Sequence, residues 1–505
     1  MRIRLLTGIL LISCLFMEFT TAAQQANKLL DRGFWRSKPS LEEVKQKVKE
    51  GHSPTEFNSS MFDPTTYAIL ENNSTDVVKY LVEQVGEVNT ITHDARTYLH
   101  WAALRGNTEV MEYLLASGIK IEIVDDGGNN AMMFAARSGQ SNKKVYELSM
   151  ANGLDITAKN ERNGRNVLMT FAGRLENTEM LDYFISLGVD IHDTDDNGNG
   201  LFHYAASTRN KELLQKLVDD YKVDFKSNPK TDENAFYFAT NRNFGEDEAS
   251  PIELFQYFES LGLDPAQSTK SGRNALHNLA FRSNDVEMLQ YFLDKGADVN
   301  QVDKDGNTPL INASARGGLE KIEFLAGKTR DISRKNKEGF SSFMRAIKYN
   351  NMDVVEFLAD AGAQVEVKAD GAYDLGYHVV DGTRNNLDLF DQKMKFLTSK
   401  GYDPKTTQFD GQTLLHVAIA KQNKNLLEKL IAMGVDINAK DANGQTILHH
   451  AAMLSETSDL LKFLIASGAD KNVRTEFEES AYDLAMENEI LGANIANIEF
   501  LKTQQ

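Results

Sequence analysis

Imidazole carries protons and ligates metals, so the histidines are the first candidates for chemistry. Five of the ten, His100, His203, His277, His416 and His449, fall at the same point of a segment that recurs along the chain. A metal or acid–base centre needs convergent groups. One histidine per segment spreads them a layer apart, which points to a structural role. The adjacent pair His449-His450 projects two ways around a helix and is no ligand pair. Asp193-Thr-Asp195-Asp-Asn197-Gly198 matches the first half of a calcium loop. Its twelfth position is Tyr204, where calcium requires a bidentate Glu, and Asp, Asn and Gly also suit a tight turn. No nucleophile elbow, P-loop, zinc-protease motif or dinucleotide fingerprint is visible. The remaining pattern is cationic. Aligning the segments places Arg105, Arg174, Arg242, Arg282, Arg316 and Lys421 in one column, two residues after an Ala-Ala pair or its equivalent, with Arg137 one place off. Such a column can bind carboxylates through charge-assisted hydrogen bonds; equally, its stems can simply cover helix surface.

The elements that carry these residues are legible from a period of about 33 residues, running from near Asn58 to the C-terminus. Clear copies are Asp410-Gly-Gln-Thr-Leu-Leu-His416-Val-Ala-Ile, Asn443-Gly-Gln-Thr-Ile-Leu-His449-His-Ala-Ala and Asp305-Gly-Asn-Thr-Pro-Leu310-Ile-Asn-Ala-Ser. Each leads to a second apolar run ending in glycine, as in Leu461-Lys-Phe-Leu-Ile-Ala-Ser-Gly468-Ala-Asp. Val110-Met-Glu-Tyr113-Leu114 and Leu426-Leu-Glu-Lys-Leu430 carry apolar residues at i, i+3, i+4, a helical spacing. One series of glycines, Gly118, Gly153, Gly188, Gly262, Gly296, Gly362, Gly401, Gly434 and Gly468, follows these second runs. Glycine is the natural residue there, where φ turns positive. Tyr221-Lys-Val-Asp224 and Asp232-Glu-Asn-Ala stand where glycines are expected and mark degenerate copies.

These copies resemble the ankyrin repeat, whose pattern runs turn, T-P-L-H-x-A-A helix, second helix, then G-A-D. The resemblance covers roughly Asn58 to Phe500, departing from the pattern in lacking Pro at most T-P-L-H slots; only Thr308-Pro309-Leu310 keeps it. It implies an all-α solenoid of about thirteen stacked helix-turn-helix units, with turn tips and first helices lining a concave side. The histidine at the T-P-L-H slot is then expected to hydrogen-bond a neighbouring turn, Trp101 to pack between helices, and the cationic column to face the concave groove. One repeat cannot bury its apolar face alone, so neighbours must stack. Two units lengthen between their helices, at Asn243-Phe-Gly-Glu-Asp-Glu-Ala-Ser-Pro251 and at Asp381-Gly-Thr-Arg-Asn-Asn-Leu387. Each insert is either a tolerated surface loop or a partner-contacting finger.

The N-terminus reads separately. Arg2 and Arg4 precede an apolar run from Leu5 to Met17, and Thr21-Ala22-Ala23 supplies small residues for cleavage, the layout of a secretory signal. A lipobox at Leu11-Ile-Ser-Cys14 is the rival reading; the apolar run continuing through Phe19 favours ordinary cleavage. Cys14 is the single cysteine, so the processed chain would carry no thiol, which suits an oxidising compartment. The expected organisation is a signal peptide at 1–23, a capping repeat at 24–57, the array at 58–474 and a C-terminal capping repeat at 475–505. The formal charge is −18, and loss of Arg2, Arg4 and Glu18 leaves −19. That sign disfavours nucleic acid and anionic lipid.

The expectation is therefore a monomeric, non-catalytic protein-binding scaffold in an exported compartment, periplasmic or secreted. It needs no cofactor and no metal, does not insert in a membrane, and takes an unidentified protein partner with acidic contact groups. The alternative is an ion-binding protein or enzyme using the inter-helix insert loops, with Asp193-Thr-Asp195 and the Glu246-Asp-Glu248 stretch as its best support.

Overall fold

The computed structural model describes residues 27–226, 230–243, 251–367, 373–493 and 495–502. The signal-like segment, Cys14, and residues 244–250 of the first insert, including Glu246-Asp-Glu248, lie outside them. Among the described residues the fold is all-α, with only isolated bridges at Thr194–Gly200 and Arg474–Ser480. Twelve helix pairs run from Pro64–Leu70 to Asp459–Ala466, preceded by Arg32–Arg36 with Leu41–Lys49 and followed by Ala481–Glu487. That is fourteen units where the sequence spacing gave about thirteen. The last is incomplete: after Ala481–Glu487 the chain makes only short 3-10 turns at Ile495–Asn497 and Glu499–Leu501.

The chain forms two compact units. The first comprises Met1–Leu175 with Glu179–Asp190, described from residue 27 onward. Its opening helices are docked by Trp35, which is fully buried and donates its indole N–H to the Leu29 carbonyl at 2.8 Å. Trp101 is 4% exposed, meets Phe134 edge-on at 5.6 Å and donates to Thr92 Oγ1 at 2.8 Å, so it packs between helices as expected.

The second unit comprises Glu176–Thr178 and Ile191–Gln505. Its core carries a phenylalanine cluster in which Phe236 lies 5.2 Å from Phe258 and 5.7 Å from Phe292, both near perpendicular. Edge-to-face rings add to the burial of apolar area. Within each unit the Ala-Ala pairs, such as Ala102-Ala103 and Ala451-Ala452, are fully buried. Small side chains there let successive first helices approach.

Local sequence explains the regularity. Second helices begin at capping residues: Asn107, Asn210 and Asn423 each accept the N–H three residues on, at 3.0–3.2 Å. They end at the left-handed glycines predicted from the spacing, from Gly434 at φ +82° to Gly153 at φ +107°. The degenerate copies keep that conformation without glycine: Lys222 and Asp232 both sit at φ +56°.

Candidate partner-binding surface

In five of the first helices the third position holds a buried imidazole that braces the turn before the helix. His100 accepts the Thr97 N–H on Nδ1 at 3.2 Å and donates Nε2–H to the Asn129 carbonyl at 3.1 Å. His277 reaches the Asn307 carbonyl at 3.1 Å, and His416 reaches that of Gln445 at 3.2 Å. His203 and His449 accept the N–H of Gly200 and Thr446 at 3.2 and 3.1 Å. Burial depresses the imidazole pKa of His100, His203 and His277 to about 4, outweighing nearby acids such as Asp125, Asp195 and Asp303. These rings are neutral structural braces.

Asp195 of the calcium-like stretch is buried and its carboxylate is engaged by the turn itself. Oδ1 accepts from Asn197 at 2.9 Å and Asn199 at 2.8 Å, and Oδ2 takes the Tyr204 hydroxyl. Asp195 thus serves turn formation, and Tyr204, at the place of the calcium-binding Glu, is part of the same network.

The cationic column lies at the C-terminal ends of the first helices, where unpaired carbonyls concentrate negative potential. In the first unit Arg105 and Arg137 end the helices Tyr98–Arg105 and Ala131–Arg137, and Arg174 ends a 3-10 turn at Ala172–Arg174. All three are exposed, and the Arg174 stem lies across Gly139 of the preceding repeat. In the second unit the column is partly tied to the preceding repeat. Arg242 Nη1 donates to the Ser207 carbonyl at 3.3 Å. Arg282 donates to Asn241 Oδ1 at 3.1 Å and to Asn243 Oδ1 at 3.0 Å. Lys421 donates to the Asp381 carbonyl at 2.6 Å and lies 3.4 Å from its carboxylate. Arg282 and Arg316 come together around one ring: their guanidinium carbons sit 5.8 and 5.7 Å from the centre of Phe281. Phe281 is 43% exposed and Tyr349 nearby is 50% exposed.

Besides Arg316 of the column, cations that the alignment did not gather meet in the second unit. Arg316, Arg345, Lys348, Arg384 and Lys393 line one cavity of about 780 Å³ in the second unit. Burial carries the Lys393 ammonium down to about 8. Burial alone would raise the Asp381 carboxyl, yet hydrogen bonds and charge from Lys348 and Lys421 hold it below the usual carboxylate range. One signal was readable in advance: Lys393 interrupts the apolar face Phe390, Met394, Leu397. The insert beside it adds little loop, only Thr383–Asn386. Most of the extra chain lengthens the second helix, Leu387–Ser399, to 13 residues against nine for Lys424–Ala432.

Comparison with known proteins places this architecture. The family description "Ankyrin repeats (3 copies)" matches residues 65–160, 132–229, 248–336, 276–369 and 385–475. Among curated proteins, an L-asparaginase of Dirofilaria immitis is 29% identical over 157 residues, 30% of this chain and 26% of that protein. A Caenorhabditis elegans homologue of transient receptor potential cation channel subfamily A member 1 is 23% identical over 184 residues, 30% of this chain and 15% of the channel. The chain thus spans about a quarter or less of these relatives. The crystallised human ASB11 ankyrin repeat domain is 19% identical, with a TM-score of 0.38 over 46% of this chain and 100% of that domain. Ankyrin repeats generally mediate protein–protein interaction. With matches spread over most of its length, the chain belongs to the ankyrin-repeat family.

Proposed function

We propose that this chain is a monomeric, non-catalytic scaffold that captures an acidic segment of a partner protein along the cationic column, on the concave side that the family architecture implies. The observation that carries the reading is the Arg282–Phe281–Arg316 arrangement, two guanidinium groups about an exposed ring. Arginine and aromatic residues dominate binding energy at protein interfaces, and arginine matches carboxylates with paired donors. The net charge of −18 repels most acidic proteins at long range, so a cationic strip favours a fitted acidic segment over loose adhesion. The test is binding to a library of acidic peptides with and without a neighbouring aromatic residue. Arg242→Ala, Arg282→Ala and Arg316→Ala together should weaken the best binder by well over tenfold and leave helical content intact. Unchanged affinity in that variant removes the column as the binding site.

Export is part of the same proposal, supported by the layout of the first 23 residues. Mass spectrometry of the exported protein should give Gln24 as first residue. An acylated Cys14 replaces this with a lipid-anchored protein.

A further inference from the structure

Among the described residues, the cavity of about 780 Å³ in the second unit is lined by five cations and no carboxylate, on a chain whose net charge is −18. It is assembled from consecutive repeats. Arg316 follows the helix Pro309–Ala313, Arg345 and Lys348 belong to Ser342–Tyr349, Arg384 follows Leu375–Gly382, and Lys393 lies on Leu387–Ser399. Gly382 makes the wall possible, since a Cβ there would collide with the Lys348 carbonyl.

The charges are unevenly answered. Lys348 is paired with Asp381 at 2.7 Å. Arg345 has Glu338 at 3.9 Å, and its Nε is buried with no acceptor. Among the described residues Arg316 meets the Phe281 ring and has no ion pair, and Arg384 has no ion pair either. Lys393 is 5% exposed and its ammonium has no hydrogen-bond or ion-pair partner among the described residues. Lys321 shows what the fold does with a buried lysine otherwise. It is 3% exposed and donates to the carbonyls of Ala280 and Ser283 at 2.6 and 2.7 Å. A buried charge without a partner is costly. The Lys393 ammonium, on a buried stem but open to the cavity, and the buried Arg345 Nε therefore mark where an anion completes the structure.

We propose that this cavity is a binding site for a small organic phosphate, a di- or triphosphate carrying a flat apolar ring. Five cations exceed what one carboxylate can answer, and guanidinium forks fit phosphate oxygens. The volume falls within the roughly 300–1,000 Å³ usual for small-molecule sites. Phe281 and Tyr349, both well exposed, line the rim with aromatic surface on which a ring can pack. The site adjoins the proposed protein-binding column and shares Arg316 and Phe281 with it, whereas Arg242 and Arg282 lie outside its lining.

The test is calorimetric titration of the whole chain with sodium tripolyphosphate, ATP and hexaglutamate. Both phosphate compounds should bind, with ATP tighter through its ring. Lys393→Met should weaken both by about tenfold or more, and Arg384→Ala, on the exposed wall where folding is not at stake, should weaken both several-fold. Arg242→Ala should change neither. No binding of either compound below about 1 mM, a signature of affinity too weak for a site, overturns the proposal, as does wild-type affinity in both Lys393→Met and Arg384→Ala. ATP binding no tighter than tripolyphosphate overturns its ring component. Hexaglutamate binding as tightly as tripolyphosphate, with the same loss in Lys393→Met, makes the cavity a protein-docking pocket instead.

Discussion

Acidification from pH 7 to pH 5 should destabilise the array through its buried imidazoles, and His100 isolates the effect. Its ring is 1% exposed, braced on both nitrogens, with a pKa depressed by burial to about 4. In the unfolded chain the same ring titrates near 6.5. A depressed folded pKa means that the unfolded state binds more protons between pH 6.5 and 4, so stability falls as pH falls through that window. For one such group the loss between pH 7 and pH 5 comes to roughly 2 kcal/mol. His203 and His277, with the same shift to about 4, make comparable contributions in their own repeats. His100→Gln should cost stability at pH 7, because the Asn129 carbonyl loses its donor. It should also flatten the pH dependence by roughly 2 kcal/mol, since the titrating group is gone. Urea unfolding followed by circular dichroism at both pH values supplies the four numbers, and hydrogen exchange at residues near Asn129 localises the change, which matters where an array does not unfold in one step. An undiminished pH dependence in the variant would refute the reasoning and shift the acid response to the carboxylates.

Three further substitutions test other parts of the account. Ala451→Asp places a carboxylate at a fully buried position between first helices and should cost more than about 3 kcal/mol; an unaltered melting curve would show that the repeat register is wrong. Lys222→Gly relieves a left-handed backbone at φ +56° and should stabilise by about 1 kcal/mol; a drop in melting temperature would mean that the lysine stem contributes more than its backbone costs. Lys393→Met removes an ammonium whose folded pKa, about 8, lies below the ordinary 10.5. The protonated lysine destabilises the fold below pH 8 and that penalty fades as pH rises toward 10.5, so the methionine variant should be the more stable at pH 7, by a margin roughly 2 kcal/mol smaller at pH 9.5. An equal margin at both pH values would show that packing, not charge, sets the difference.

The repeat architecture was legible because its signals are local. A glycine after most second helices and a histidine at the third position of five first helices each report on a few neighbouring residues. The conformation even persists where the signal is lost, at Lys222 and Asp232. The column of arginines was legible as an alignment. Its attachment was not, since Arg282 finds Asn241 and Asn243 some forty positions away in the chain. The cavity was less legible still. It joins residues 316, 345, 384 and 393 through the distance between stacked helices, a quantity that no single repeat encodes. Only Lys393, misplaced on an apolar face, hinted at it.

Side chains that reach back across repeat boundaries give the array a direction. Gln140 donates to the Leu104 carbonyl at 3.1 Å. Asn350 donates to Ser314 and Gly317 at 3.1 and 2.9 Å, and Asn488 to Ala452, Met453 and Ser455 at 3.0–3.1 Å. At these boundaries a first helix is finished only by an amide from the repeat synthesised after it. During translation such a repeat therefore leaves the ribosome with bare carbonyls at its helix end and acquires its full hydrogen bonding one repeat later. A nascent chain halted just before Asn350 or Asn488 would hold its last helix more loosely than one halted a few residues beyond, so the array assembles with a trailing edge that stays open until its successor arrives.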